Sequence, residues 1–404
     1  MHKKVLTILF FTLVLDMVGL GMVIPIIPII FTDPNSSSFL LSHVAPRYWY
    51  FLAGLTTAIF GLVQFFAAPL LGELSDVYGR KKLLFVGVSI LAVSQCIFGL
   101  GIITKSLTLI FLSRFVGGLA AANFSIAQAT IADISTPETR AKNFGLIGAA
   151  FGIGFIVGPA LSGYLAHTFE SASAPFWIAG LLGVCNMISV SLFLPETHKE
   201  NRREAKQLTF LKAIHNIKTA FTDHDISHIY RANFFYFTGF TFFSSFSGLY
   251  LVEKYKIEEA GLGTYFTIIG VCIIITQMII LRIVSKHKKP LQVLKGSMIV
   301  AGVTLALTPF MPTLMLQYIL IPCIAVPHGL SIANLGALLS SSVNKEKQGV
   351  ALGINGSLSA FAQGVVPLLG GVLGSAIGIK LPFILGGVCI AFAWYGIVQL
   401  RHKE

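Results

Sequence analysis

Two charged residues lie inside long apolar stretches of this sequence. Asp16 stands in LVLDMVGLGMVIP, and Arg114 stands in FLSRFVGGLA. Burial favours the protonated form of an acid, whereas a nearby guanidinium favours the carboxylate. Because these two effects compete, we expect Asp16 to load and release a proton and Arg114 to be its partner. The alternatives are structural: an ion pair for Arg114, and for Asp16 a carboxylate neutralised by hydrogen bonds from a helix terminus.

The segment GELSDVYGRKK, residues 72–82, combines two glycines, two acids and three bases between apolar segments. Its spacing predicts a tight turn that packs against a helix end and is held by a carboxylate. We expect this turn to form a conformational gate at the cytoplasmic face, where closure excludes water and strengthens ionic contacts. The gate residues are Gly72, Asp76, Gly79, Arg80 and Lys81.

Other polar side chains occur at isolated positions in the apolar segments. They either line a cavity for a small-molecule substrate or only bridge neighbouring helices. The histidine among them either titrates near neutral pH or is a hydrogen-bonded packing residue. These candidate cavity residues are Gln64, Asn123, Gln128, His328, Asn334, Asn355 and Gln363.

The composition indicates the surroundings that hold these residues. Of the 404 residues, 55% are hydrophobic and 11% are charged, whereas about 25% of residues are charged in soluble proteins. We predict an all-α integral membrane protein with two pseudo-symmetric six-helix halves. Twelve segments are long enough to cross about 30 Å of hydrocarbon. They are 5–31, 48–72, 83–103, 107–133, 142–167, 175–194, 230–252, 262–284, 291–311, 313–340, 348–377 and 381–400.

The longest polar stretch divides six of these segments from the other six. We predict an N-terminal half over 1–194, a central cytoplasmic loop over 195–229 and a C-terminal half over 230–404. Within the loop, residues 208–221 predict a short amphipathic helix on the membrane surface.

An internal repeat links the two halves. At an offset of 208, Pro159 aligns with Pro367 and Gly163 aligns with Gly371. Repeated halves place the substrate site at their interface near the bilayer midplane, and they predict alternating access.

Small residues recur along the fifth apolar segment. Small side chains at i and i+4 let two helices approach backbone to backbone, and a proline there permits bending. We expect this helix to pack closely on another helix across the interface of the halves; the alternative is ordinary tight packing. The residues are Gly145, Gly154, Gly158, Pro159 and Gly163.

The distribution of bases predicts the topology. The net charge of +12 does not indicate a nucleic-acid partner, because the bases fall in short clusters between apolar segments. By our count, 18 bases lie in alternate loops and termini and 5 in the opposite loops. Bases accumulate on the cytoplasmic side, so we expect both termini in the cytoplasm. The expected location is a bacterial inner membrane.

The sequence lacks the residue spacing of metal-binding proteins and the motif of ATP-driven pumps. The five cysteines are far apart in apolar segments, without the spacing of metal ligands. The ATP-binding pattern G-x4-G-K-[ST] does not occur. We expect no enzymatic activity, no metal and no cofactor, with the proton gradient as the energy source. The expected partners are protons, a small-molecule substrate and the lipid bilayer, and we expect a monomer.

Several motifs resemble those of the major facilitator superfamily. GELSDVYGRKK resembles its loop between helices 2 and 3, G-x-x-x-D-[R/K]-x-G-[R/K]-[R/K], except at Val77. The fifth segment resembles its antiporter motif, G-x8-G-x3-G-P-x2-G-G, except at Ser162. The segment at Arg114 resembles R-x-x-Q-G, with Gly117 in place of the glutamine. Asp16 and the glycines and prolines after it resemble the pattern of helix 1.

The resemblance covers nearly the whole chain and points to the drug–proton antiporter branch with twelve spans. It is most like the tetracycline–proton antiporters. It implies proton-coupled export of a small amphiphilic organic compound, with the arginine close to the proton-carrying acid. The third and ninth segments carry no acid, whereas tetracycline exporters have carboxylates there. The resemblance therefore does not specify tetracycline as the substrate.

Two alternatives stay open at this point. One is an uptake or facilitative carrier of the same superfamily for a metabolite, sugar or siderophore. The other is a membrane sensor or assembly partner that transports nothing, although the sequence contains no sizeable soluble domain for signalling.

Overall fold

The structure is a computed structural model. It describes residues 2–120, 123–197, 212–222, 226–344 and 348–400. Within these ranges it is helical and contains no strand. The α-helices are α1 (His2–Thr32), α2 (Trp49–Tyr78), α3 (Arg80–Ile103), α4 (Leu107–Ala120), α5 (Asn123–Ile134), α6 (Pro137–Thr168), α7 (Ala174–Phe193), α8 (Lys212–Thr222), α9 (Ser227–Tyr255), α10 (Glu259–Ile275), α11 (Leu281–His287), α12 (Pro290–Leu307), α13 (Leu314–Ser341), α14 (Gln348–Ala376) and α15 (Leu381–Gln399).

The predicted spans coincide with these helices. Eleven helical stretches in the described part are long and apolar enough to cross a membrane. The remaining predicted span, 230–252, coincides with α9, whose 29 residues extend roughly 43 Å. The fourth span comprises α4 and α5, and the eighth comprises α10 and α11, joined by a π-helical turn over Thr276–Ile280. The fold prediction of twelve spans is confirmed.

The predicted turn after the second span is shorter than the sequence indicated. Helix α2 continues past residue 72 and ends at Tyr78. Gly72 and Asp76 therefore lie within α2 and not in a loop between two helices. Only Gly79, with φ of 100°, interrupts the helix before α3 begins. A positive φ suits glycine because it has no Cβ.

The chain divides into two compact units. The first contains residues 1–43, 59–212 and 258–267; the second contains the remainder. The amphipathic helix predicted over 208–221 is observed as α8, within the described residues. The division into halves at 195–229 stays a prediction, and residues 198–211 and 223–225 of that loop lie outside the described part.

In the first unit, α1 packs directly on α6. A Cβ built on Gly158 would lie 2.7 Å from the carbonyl oxygen of Val18, and one on Gly21 would lie 2.8 Å from that of Gly154. The Ser162 hydroxyl donates a hydrogen bond of 2.8 Å to a carbonyl of α1. The two backbones therefore touch without intervening side chains.

The first unit also has an aliphatic core beside this contact. It is built around Leu9, Leu13, Leu84 and Ile126, all at most 1% exposed. This core fixes α1 against α3 and α5 and so positions the residues of α1.

In the second unit, α9 buries several large aromatic side chains. Tyr230, Tyr236, Phe243 and Phe246 are all at most 1% exposed. These four aromatic side chains therefore belong to the core. The unit also contains the first turns of α2, where Ser375 of α14 accepts a hydrogen bond of 3.0 Å from a backbone amide.

The internal repeat is visible as two equivalent contacts. In the first unit, a Cβ on Gly163 of α6 would lie 3.2 Å from Cα of Gly263 in α10. In the second unit, a Cβ on Gly371 of α14 would lie 3.4 Å from Cα of Gly54 in α2. Gly163 and Gly371 are the pair that the sequence repeat aligns, so the repeat extends to the partners of these helices.

The α1–α6 contact predicts that Gly158→Ala lowers stability. Alanine favours a helix by up to about 1 kcal/mol over glycine, but here its Cβ would meet backbone atoms, and overpacking costs about 1–3 kcal/mol. The matched control is Gly356→Ala in α14, where a Cβ would meet nothing within 4 Å. Thermal unfolding of the purified protein should show a lower midpoint for the first variant only; equal midpoints would contradict the close contact.

Candidate functional site

Asp16 of α1 is held by amide groups from two other helices. The side chain is 5% exposed. Asn123 of α5 donates a hydrogen bond of 3.0 Å to one carboxylate oxygen, and Asn186 of α7 donates one of 3.4 Å to the other. Thr12, one turn before Asp16, donates a bond of 3.0 Å to the Asn186 side-chain oxygen. A network of uncharged groups thus solvates the acid.

Arg114 of α4 has a different environment. It is 4% exposed, and its guanidinium carbon lies 4.6 Å from the ring centre of Phe98 and 5.7 Å from that of Phe60. Its Nε is buried without a hydrogen-bond partner. Among the described residues, Arg114 forms no ion pair with Asp16. The predicted coupling roles of both residues stay predictions.

Arg80, at the start of α3, is the buried centre of an ionic cluster whose acids are partly exposed. Its Nη2 lies 2.5 Å from a carboxylate oxygen of Asp76, and its Nε donates a bond of 3.0 Å to Asp133 of α5. Its Nη1 donates a bond of 2.5 Å to the hydroxyl of Ser75. The end of α2, the start of α3 and the end of α5 are therefore tied together by one guanidinium.

Glu196, just after α7, joins the same region through the backbone. One of its carboxylate oxygens accepts a hydrogen bond of 3.0 Å from the Arg80 amide. A Cβ on Gly79 would meet this carboxylate, which is the flexible end of a side chain, so the positive φ is the stronger reason for a glycine here. Lys81 lines a surface cavity of about 230 Å³ beside Glu196, together with Lys82, Phe85 and Ser191.

The glycines of the fifth span divide between two partners. Gly154 and Gly158 contact α1, which belongs to the same predicted half, and Gly163 contacts α10. The expected close packing is thus present, but only Gly163 reaches a helix of the other predicted half. Gly145 lies in α6, and its surroundings are outside the described part.

His328 of α13 belongs to an aromatic cluster in the second unit. Its Nδ1 is 3.1 Å from the hydroxyl of Tyr236, and its ring stacks on Phe240 at 3.3 Å between centres. Nearby in the chain, the hydroxyl of Ser331 is 2.7 Å from that of Ser297 in α12. The histidine is hydrogen-bonded and packed.

The remaining cavity candidates are each described by their own surroundings. Asn334 donates to a carbonyl of its own helix, and Gln363 is exposed. Asn355 and Gln64 each have a buried side-chain oxygen without a partner. Gln128 is half-buried. Gln64, Asn123 and Gln128 belong to the first unit and the other four candidates to the second. Their role in a cavity stays a prediction.

Several residues of these sites were not selected from the sequence. Asn186 and Thr12 complete the surroundings of Asp16, and Asp133 and Glu196 complete those of Arg80. The single amide side chain in the largely apolar helix α7 was a signal for Asn186. For Asp133 and Glu196, the signal was an acidic residue at the end of a predicted span. Neither signal indicates which helices meet.

No group of three His, Cys, Asp or Glu side chains in the described part is close enough to hold a metal ion. The expectation that no cofactor is needed stays a prediction.

Comparisons with known proteins agree on one family. A model of the Major Facilitator Superfamily matches residues 9–367. Tetracycline resistance protein, class C, of Escherichia coli is 34% identical over 201 residues, which cover 50% of this chain and 47% of that protein. Multidrug resistance protein 1 of Bacillus subtilis (strain 168) is 27% identical over 420 residues, which cover 99% of each. The crystal structure of the human organic anion transporter MFSD10 (TETRAN) matches with a TM-score of 0.74 at 21% identity, covering 98% and 99% of the two chains.

The ionic cluster predicts that Arg80→Gln is strongly destabilising. Removing the guanidinium leaves two carboxylates close together without a counter-ion, and breaking a buried ion pair costs about 3–5 kcal/mol. Because both acids are partly exposed, we expect the loss to be at the lower end. The control is Lys82→Gln, an exposed neighbour, which should leave stability within about 0.5 kcal/mol. Similar denaturation midpoints for the two variants would show that the cluster contributes little.

Proposed function

The chain belongs to the Major Facilitator Superfamily, and from this premise we propose that it exports a small amphiphilic organic compound in exchange for protons. It is a secondary transporter in a family of carriers rather than enzymes. Relatives named for tetracycline and multidrug resistance support export. The main alternative within the family is an uptake or facilitative carrier.

The surroundings of Asp16 carry the proposal. A proton carrier must be stable both as a carboxylate and as a neutral acid inside the protein. A carboxamide has two N–H donors and a carbonyl acceptor, so it can donate to the carboxylate and, after a flip, accept from the protonated acid. The side-chain oxygen of Asn123 is buried without a partner and can accept this bond. A guanidinium only donates and would hold the acid in its charged form.

The packing of α1 supports coupling of this proton to movement. Met17, the residue after Asp16, lies against Gly154 of α6. Because glycine contacts bring the backbones together, a rotation of α1 on α6 would change the water access of the neighbouring carboxylate. In alternating access this change lets the acid take up a proton on one side of the membrane and release it on the other.

The Arg80 cluster is proposed as the cytoplasmic gate of this cycle. It joins the ends of α2, α3 and α5, and Glu196 adds the end of α7. Partly buried ionic contacts are strengthened when water is excluded, so such a cluster favours one closed arrangement of the cytoplasmic helix ends.

The protein is a multi-pass integral membrane protein. We propose that it lies in a bacterial plasma membrane with both termini in the cytoplasm. The distribution of bases along the sequence supports this orientation. A monomer with no cofactor, energised by the proton gradient, completes the proposal.

Coupling by Asp16 predicts that Asp16→Asn abolishes transport driven by a pH gradient but retains exchange of substrate. An amide resembles the protonated acid in shape and cannot release a proton. In proteoliposomes with an imposed pH gradient and a panel of tetracyclines and cationic dyes, the parent protein should show proton flux only with its substrates. Asp33→Asn, the same change at a non-helical residue after α1, should keep this flux.

The outcome also separates the two directions of transport. An exporter moves substrate against the direction of the entering protons, whereas an uptake carrier moves both together or responds to no proton gradient. Full gradient-driven activity in Asp16→Asn would contradict the role of Asp16, and co-directional flux in the parent protein would contradict export.

A further inference from the structure

Among the described residues, Arg114 is a cation with no anion beside it. It is 4% exposed, its Nε is buried and unpaired, and among the described residues it has no hydrogen bond or ion pair. Its guanidinium lies over the faces of two phenylalanine rings. Ionisable residues in membrane spans are costly, and they mark substrate or ion pathways. The acid expected as its partner, Asp16, is instead engaged with two asparagines.

Two unpaired glutamines lie next to the rings that contact Arg114. Gln95 is 2% exposed and stands three residues from Phe98; Gln64 stands four residues from Phe60. Residues at these spacings share one helix face. Each glutamine has a buried side-chain oxygen without a hydrogen-bond partner, and buried acceptors normally have one.

The contacts of α4 place these groups at one level. One turn after Arg114, a Cβ on Gly117 would lie 3.1 Å from the hydroxyl of Ser94, the residue before Gln95. A Cβ on Gly118 would lie 2.7 Å from the side chain of Val63, the residue before Gln64. The glycines thus bring α2, α3 and α4 together at the level of the glutamines, and they add no side chain of their own there.

We propose that Arg114, Gln64 and Gln95 form a binding site for an organic anion, a carboxylate with a neighbouring hydroxyl or amino group. The guanidinium pairs with the carboxylate, since charge-assisted bonds of this kind are the strong ones. One amide oxygen accepts from a neighbouring hydroxyl, whereas both can accept from a neighbouring amino group, which has more than one N–H donor. The ligand would thereby satisfy the unpaired cation and one or both of the unpaired acceptors. This inference rests on the proposed transport function, because it names a substrate class for it.

The test measures binding without a proton gradient, so that it does not depend on coupling. The probes are mandelate, mandelamide, which has no charge, and phenylacetate, which has no hydroxyl. Binding to the purified full-length chain in detergent is followed by calorimetric titration. We expect the hydroxy acid to bind at least about tenfold more tightly than its amide, which corresponds to about 1.4 kcal/mol.

Variants assign this preference to named residues. Arg114→Gln should remove the preference for the acid over the amide, and size-exclusion chromatography of the variant should show the same single peak as the parent protein. Gln95→Leu should reduce the preference for mandelate over phenylacetate. The matched control is Arg282→Gln in α11, an exposed arginine, which should change neither preference.

Equal affinities of the parent protein for acid and amide would overturn the anion site, as would an unchanged preference in Arg114→Gln. Failure of all three probes to bind would overturn it too. In that case, proton-coupled flux of other compounds in the vesicle assay would leave the proposed export function standing, so that the two failures are distinguishable.

Discussion

The interior of a bilayer contains no water, so each polar group placed there must be solvated by the protein. Asp16 illustrates this constraint. Its carboxylate is reached by amides from α5 and α7, which means that α1 must lie between those helices at one depth and rotation. The aliphatic residues of α1 then pack on the surrounding helices. The position of one acid therefore constrains three helices of the first unit.

Two kinds of contact hold the helices around this acid. On one side, glycines of α1 and α6 bring backbones together. At the helix ends, Arg80 forms directional bonds to two acids and a hydroxyl. The first kind allows sliding and rotation, because it involves few directional bonds, whereas the second favours one arrangement. A transporter requires both, since helices that move must still close at defined positions.

The helices could be predicted closely from the sequence because each span is a long apolar run with polar ends. The prediction is wrong at the end of α2, because Gly72 and Asp76 are typical of a turn that ends a helix. Their helical hydrogen bonds continue to Tyr78, and the positive φ of Gly79 ends it instead.

The site was less predictable, for a physical reason. A charged residue in a span predicts that a polar partner lies nearby, but it does not indicate which helix contributes that partner. Asp16 and Arg114 suggested each other as partners, yet Asn186, 170 residues away in sequence, is bonded to the acid. Amides are neutral and common in spans, so their role depends on contacts between helices that no local pattern encodes.

The paired glycine contacts have a consequence for the rate of movement. At Gly163 with Gly263, and at Gly54 with Gly371, the touching surfaces consist of backbone atoms. No rotamers are frozen when such surfaces meet, and none must be found again when they part. Side-chain entropy, which can reach about 2 kcal/mol for a long side chain, does not enter the barrier at these points. Opening or closing such a contact therefore requires no side chain to change its rotamer, and the internal repeat provides the same backbone surface at both places.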